Sequence, residues 1–346
     1  MDDILPAAFH LRDLGWTAFF ADQVTPDETD LIPHRIAEVH RASLTALSSS
    51  GHFPLALPVG LTTAEYAVGD WILAAGPSRT LVRRLERRTL LQRRIEGKAA
   101  PQLAAANVDT LLVVTSCNAD FNVARLERYL AMANEAGTIP VIVLTKADLV
   151  DDASLYVDQA LALQRDLVVV SVNARLAEAA ETLAPWCGEG RTLALAGSSG
   201  VGKSTLVNTL VGAGRQESQK ITPQKTGDIR LHDAKGRHTT VSRSMHAING
   251  GGWIIDNPGM RNLHVSHVSD GIDTLFAEII ERAALCKFRD CTHAHEPGCA
   301  VLAGVRAGDL VEARVVRWRK LFEENRLNTP TQTGPRGNRI QRKKSW

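Results

Sequence analysis

The sequence predicts a multidomain α/β protein: a small N-terminal β-barrel, a central P-loop nucleotide domain, and a mostly helical C-terminal domain that binds zinc. Three observations carry this prediction. Apolar runs alternate with helical patterns from residue 110 to 196, the signature of a parallel sheet covered on both faces. A phosphate-loop motif at 197–204 follows a base-reading motif at 145–148, the reverse of the usual order, so the central domain is circularly permuted. Cys286, Cys291, His293 and Cys299 fall within fourteen residues, at metal-ligand spacing.

At 346 residues the chain has room for two or three domains, and 44% hydrophobic residues suffice for ordinary cores. No run of eighteen or more apolar residues occurs, so no helical membrane span is expected. The start carries Asp2, Asp3, His10, Arg12 and Asp13 and lacks the pattern of a secretory signal, so a cytoplasmic protein is expected. Three of the five cysteines cluster near a histidine while Cys117 and Cys187 stand alone, as in a reducing compartment. The net charge of +2 is uneven: residues 79–98 carry +6 and residues 301–346 carry +7, leaving −11 for the remainder. Two basic zones beside a nucleotide domain point to RNA phosphates.

Residues 1–30 read as a short helix with an irregular lead-in. Residues 35–47, 53–59 and 70–74 read as strands, separated by Ser48-Ser49-Ser50-Gly51, Gly60 and Gly69-Asp70. Such close spacing suggests a small barrel. Residues 93–107 read as a linker. Strands follow at Thr110–Ser116, Ile139–Thr145, 167–171 and Thr192–Ala196, with a helix over 123–136 ended by Gly137. Residues 271–284 read as a helix leading into the cysteines, and 307–325 as another with Val311, Val315, Trp318 and Phe322 at helical spacing. Pro330, Gly334, Pro335, Gly337 and Arg342-Lys343-Lys344 mark a disordered basic tail. The expected domains are 1–95, 96–265 and 266–328, with a tail at 329–346.

The phosphate loop is Gly197-Ser198-Ser199-Gly200-Val201-Gly202-Lys203-Ser204, after a strand and before a helix opening at Thr205. Its glycines let successive N–H groups face phosphate oxygens, and the helix N-terminus adds partial positive charge. Lys203 is assigned to the β- and γ-phosphates and Ser204 to Mg²⁺. Thr145-Lys146-Ala147-Asp148 ends a strand upstream. The Asp148 carboxylate can accept from guanine N1–H and the exocyclic amine, a donor pair that adenine lacks. Thr145 stands where Asn is usual, and its hydroxyl can replace part of that bonding. Ser171 and Asn173 follow the next strand and are candidates to support the base, with an ordinary strand-to-helix turn as the competing reading.

Asp256-Asn257-Pro258-Gly259 follows an apolar run. Asp256 is a candidate to hold Mg²⁺ through water, and the Gly259 N–H to sense the γ-phosphate. Thr239 or Thr240 is the switch candidate for Mg²⁺. Met260 stands where many GTPases place a water-orienting glutamine, which methionine cannot replace; His238 is the nearest polar candidate for that catalytic role. Cys286, Cys291, His293 and Cys299 make a closed tetrahedral Zn²⁺ set, with His295 as an alternative ligand.

Together these residues resemble the RsgA (YjeQ) family of ribosome small subunit-dependent GTPases. The resemblance rests on the order of Thr145-Lys146-Ala147-Asp148 before the phosphate loop, on Gly236-Arg237-His238-Thr239-Thr240 and on Asp256-Asn257-Pro258-Gly259-Met260-Arg261. It rests also on the cysteine segment, Leu14-Gly15-Trp16 and Gly69-Asp70-Trp71. It implies an OB-fold first domain, a permuted GTPase centre, a zinc-binding last domain and His238 in hydrolysis. It further implies action late in 30S subunit assembly, with 16S rRNA as partner, hydrolysis of GTP to GDP stimulated by the particle, and release. A monomer without membrane contact is expected. The competing readings are a P-loop ATPase, which has no use for Asp148, and a nucleotide-dependent RNA-binding protein with little turnover.

Overall fold

The structure, a computed structural model, describes residues 10–49, 51–76, 78–93, 101–212, 243–256 and 265–329. The expectations for His238, Thr239, Thr240, Gly259, Met260 and the tail from 330 lie outside these residues.

A short helix α1 (Ala18–Ala21) precedes five strands: β1 (Leu31–Val39), β2 (Leu44–Ser48), β3 (Gly51–Leu55), β4 (Trp71–Ala75) and β5 (Thr80–Arg84). β1 pairs antiparallel with β2 and with β4, and β4 with β5. Ala56 closes the ring: its N–H donates to Arg79 O at 3.1 Å and its carbonyl accepts from Leu81 N–H at 2.9 Å. The circuit β1-β2-β3-β5-β4 is that of an OB-fold. Alternate residues point inward, so Ile36, Leu44, Ala46, Phe53, Ile72 and Leu81 form the barrel core.

Three expectations need correction here. Residues 35–47 are two strands, turned where His40 N–H bonds Ser43 O at 2.9 Å. Residues 93–107 are not a linker, because β6 (Leu90–Arg93) pairs with β7 (Gln102–Ala106). The basic zone at 79–98 includes β5, and much of its charge is used internally: Arg83 on Glu28 at 2.5 Å, Arg87 on Asp70 at 2.7 Å, and Arg88 on Asp109.

The central domain comprises β8 (Thr110–Ser116), α2 (Val123–Glu135), β9 (Ile139–Thr145), α3 (Ser154–Leu161), β10 (Val168–Val172), α4 (Glu178–Leu183) and β11 (Thr192–Ala196). It continues with α5 (Lys203–Val211), β12 (Arg243–Ala247) and β13 (Trp253–Asp256). The spatial order is β10-β9-β8-β11-β13-β12, parallel except for β12. The chain runs outward through β8, β9 and β10, then returns to place β11 on the other side of β8. That reversal opens a crevice beyond the carboxyl ends of β8 and β11, where such sheets bind ligands.

The barrel joins this sheet by backbone. The far end of β1 pairs with β12, Glu38 opposite Ser244 and Val39 opposite Arg243. Arg35, 1% exposed, lies at the joint. It donates to Leu14 O at 2.5 Å, Asn107 O at 3.2 Å, Gly69 O at 3.4 Å and Thr192 Oγ1 at 2.8 Å. Burial pulls its pKa down to about 10, so it stays charged at neutral pH.

The C-terminal region holds α6 (Ser269–Leu275), α7 (Ala277–Ala283), α8 (Ala300–Ala307) and α9 (Glu312–Asn328). The expected helix over 271–284 is broken at Phe276 (φ −111°, ψ 38°). α8 was not anticipated, and α9 starts later than expected, leaving Val311 67% exposed outside the helix while Val315, Trp318 and Leu321 are buried. α6 lies directly on α2, since a Cβ on Gly271 would stand 2.0 Å from Ala131 O. Buried Glu127 on α2 receives Arg317 at 2.8 Å and Arg314 at 3.5 Å from α9.

Candidate functional site

The phosphate loop leaves β11 at Gly197, whose φ of 142° is open to glycine and whose Cβ would meet Val114 O of β8 at 2.2 Å. Any side chain here would push the loop off the crevice. Gly202 (φ 95°) turns the chain into α5, with Lys203 as its first residue. The Lys203 ammonium donates back to Gly197 O at 2.8 Å and to Ser198 O. It therefore stands over the loop it belongs to. Ser199 and Gly200 are exposed at the loop's tip, and Ser204 and Thr205 are half-buried in the first turn of α5.

The second motif meets the first directly. Buried Thr145, the last residue of β9, directs its hydroxyl to Val201 O at 2.6 Å, with Thr115 O at 3.1 Å. A hydroxyl has one proton. The threonine thus ties the segment 145–148 to the phosphate loop. Lys146 follows in left-handed conformation (φ 58°, ψ 27°), which swings Asp148 into an exposed 3₁₀ turn, Ala147–Leu149. The Asp148 carboxylate is exposed to solvent here.

Asn173, at the end of β10, accepts from Arg175 N–H at 3.1 Å, while exposed Ser171 lies within the strand. Thr209 of α5 donates to Ala174 O at 2.7 Å, so this loop too is bound to the phosphate helix. Asp256 ends β13, adjacent to β11 and one residue beyond the Ala194–Ile255 pair. Lys203, Ser204, Thr145, Asp148, Asn173 and Asp256 therefore all gather at the carboxyl edge of one sheet.

Two residues at this edge were missed by sequence reasoning. Arg125 of α2 donates to Ser198 Oγ at 2.5 Å. Buried Tyr129, one turn on, receives the Gly197 N–H, and burial raises its pKa to about 12. Nothing local in the sequence marks either, because both contacts depend on where α2 packs.

The metal cluster is separate. One ligand atom each from Cys286, Cys291, His293 and Cys299 lies within 4.8 Å of the others. His293 Nδ1 is 3.5 Å from both Cys286 Sγ and Cys299 Sγ, and those sulfurs are 3.9 Å apart. A tetrahedral ion with bonds of about 2.3 Å to sulfur and about 2.05 Å to nitrogen requires edges of about 3.8 and 3.5 Å. The set fits such an ion. Backbone N–H groups of Ala300 and Leu302 reach Cys286 and Cys299 at 3.3 and 3.4 Å, as thiolates require.

Comparison with known proteins agrees with this geometry. The family model described as RsgA GTPase matches residues 84–266. The small ribosomal subunit biogenesis GTPase RsgA of Mesorhizobium japonicum is 63% identical over 327 residues, covering 94% of this chain and 93% of its own. RsgA 2 of Vibrio parahaemolyticus is 43% identical over 332 residues, 95% and 90% of the two chains. Among solved structures, YjeQ from Thermotoga maritima has a TM-score of 0.61 at 24% identity, covering 85% of this chain and 98% of its own. YloQ, a circularly permuted GTPase, has a TM-score of 0.58 at 21% identity, covering 89% and 99%. Both are likenesses of fold.

Proposed function

We propose, from the premise that this chain belongs to the RsgA GTPase family and is a GTP hydrolase, that GTP lies across the carboxyl edge of β8 and β11. Asp148 reads the guanine there and Lys203 meets the phosphates. The observation that carries this reading is the 2.6 Å bond from Thr145 to Val201 O, which joins the base segment to the phosphate loop. Lys146 packs on the purine, and Ser171 and Asn173 back it. The N–H groups of residues 198–205 cradle the phosphates.

A water attacks the γ-phosphorus, the bond to the bridging oxygen breaks, and GDP and phosphate result. Lys203 offsets charge on the β- and γ-oxygens, Gly259 N–H senses the γ-phosphate, and His238 orients the water. Magnesium, held by Ser204, Asp256 and Thr239 or Thr240, supplies charge neutralisation when bound. The Cys286, Cys291, His293 and Cys299 set holds one structural zinc, with no open position for chemistry.

We assign the action to biogenesis of the 30S subunit, as the relatives' names state for them, with 16S rRNA as the contacted surface. Arg79 and Arg41 on the barrel, and Arg306, Arg319 and Lys320 on the last helices, are exposed for that contact. We further assign a cytoplasmic monomer with domains 1–95, 96–265 and 266–328. Among the described residues no helix is long and apolar enough to cross a membrane.

The test is GTP turnover against added small subunits. Stimulation is expected, and Lys203→Ala should lower turnover on the order of a hundredfold or more. Asp148→Asn should move preference from GTP toward xanthosine triphosphate, whose C2 carbonyl accepts from an amide. Unchanged preference would remove Asp148 from the base site.

A further inference from the structure

The two residues that seat the Lys203 ammonium are both gripped from outside the loop, by one helix. Lys203 Nζ donates to the carbonyls of Gly197 and Ser198. Arg125 holds the Ser198 hydroxyl, and Tyr129 takes the Gly197 N–H. Arg125 and Tyr129 stand four residues apart on α2, one above the other on the same face. The helix is fixed in register at its start by Asn122, whose Oδ1 accepts the Arg125 N–H at 2.9 Å. It is fixed on another side by α9, through Glu127 with Arg317 and through Arg128 with Glu324 at 2.6 Å.

We propose that α2 positions Lys203 for phosphate contact, with Arg125 and Tyr129 acting as positioning residues through Ser198 and Gly197. The proposal rests on the reading of Lys203 as the phosphate cation. A lysine stem is flexible, and its ammonium accepts many geometries. Two carbonyls on adjacent residues restrict it only if those peptides are themselves fixed. The loop is rich in glycine and cannot fix them alone, so bonds from a rigid helix supply the constraint. Displacement of a catalytic cation by a fraction of an ångström lowers turnover steeply.

The experiment measures kcat and KM for GTP in Arg125→Ala, Arg125→Lys, Ser198→Ala, the Arg125→Ala/Ser198→Ala double variant and Tyr129→Phe, with Lys203→Ala as reference and thermal midpoints as the folding control. Arg125→Ala and Ser198→Ala should each lower kcat/KM on the order of tenfold, mainly through kcat. The double variant should be no worse than either single one, since both remove the same bond. Arg125→Lys should recover part of the loss, and Tyr129→Phe should lose activity in the same sense. Independent, multiplying effects of Arg125→Ala and Ser198→Ala would overturn the proposal. So would a loss in Arg125→Ala with Ser198→Ala at wild-type activity, which would mean direct contact of Arg125 with phosphate. If Lys203→Ala keeps full turnover, the reading of Lys203 itself fails. If Lys203→Ala is inactive while Arg125→Ala and Ser198→Ala match wild type, the brace alone fails.

Discussion

The barrel and the C-terminal module that carries the cysteine cluster are attached to the nucleotide domain by different physics. The barrel shares a backbone ladder with it, β1 on β12, and is pinned by a buried guanidinium bonded to three carbonyls and a hydroxyl. The module is attached by helix packing at Gly271 and by ion pairs from α2 to α9. Neutral oxygen partners bond to Arg35 whatever the salt concentration. Of the carboxylate partners, Glu324 is partly exposed and is screened by salt, whereas Glu127 is buried and is screened much less. The barrel is thus joined to the nucleotide domain by backbone pairing and neutral oxygens, and the module by a shared apolar core and ion pairs, with a cysteine and histidine cluster of its own.

Metal removal should sharpen this contrast most. The segment holding the four ligands has few apolar residues of its own, and structural zinc contributes roughly 10 kcal/mol or more to such small domains. A chelator, or Cys291→Ala, should abolish hydrogen-exchange protection in residues 286–328 while β1–β5 and β8–β11 keep theirs. Equal loss in both regions would mean that they form one cooperative unit. Arg35→Ala should come next, at about 3–5 kcal/mol, because it leaves buried carbonyls without donors. Denaturant unfolding should show barrel and nucleotide domain weakened together, with the module unaffected.

How far the sequence reveals this contrast follows from the kind of signal each part carries. Thr110–Ser116, Ile139–Thr145 and Thr192–Ala196 are read to the residue, because strands buried on both faces are continuous apolar runs. The cluster of Cys286, Cys291, His293 and Cys299 is legible because coordination chemistry limits the types and spacing of candidate ligands. The β1–β2 turn at His40-Arg41-Ala42-Ser43 has no glycine, proline or asparagine, so one strand was read for two. β5 was hidden by arginines that look like a surface for RNA, although Arg83 within it bonds Glu28. The grip of Arg125 on Ser198 spans 73 residues and has no local trace. The break between α6 and α7 falls at an apolar residue, Phe276, where hydrophobic periodicity carries no warning.

If salt spares the barrel, acid should not. His34 lies in the barrel core against Phe53, ring centroids 4.7 Å apart, and neither ring nitrogen has a partner among the described residues. Burial, with Arg79 nearby, lowers its pKa to about 4 from 6.5. The unfolded chain therefore binds a proton at a pH where the barrel does not. The stabilisation is complete above pH 6.5 and declines as the pH falls toward 4, by about 3 kcal/mol in all. His34→Leu should flatten that slope in unfolding measured between pH 7 and 4. A slope unchanged by His34→Leu would place the acid sensitivity elsewhere.

The smallest expected effect is the most direct measure of the docking chemistry. Arg128 and Glu324 face each other at 2.6 Å across the module boundary, their side chains 25% and 24% exposed. Such a pair contributes about 0.5–1 kcal/mol, less as salt rises. A double-mutant cycle with Arg128→Ala and Glu324→Ala should give a coupling of that size at low salt, falling toward zero near 1 M. The coupling should be read twice, from stability and from GTP turnover. Because Arg125 and Arg128 are neighbours one turn apart on α2, coupling that appears in both would tie the module's docking to the lysine seat. Coupling confined to stability would mean that α2 holds its register through Asn122 and Glu127 alone.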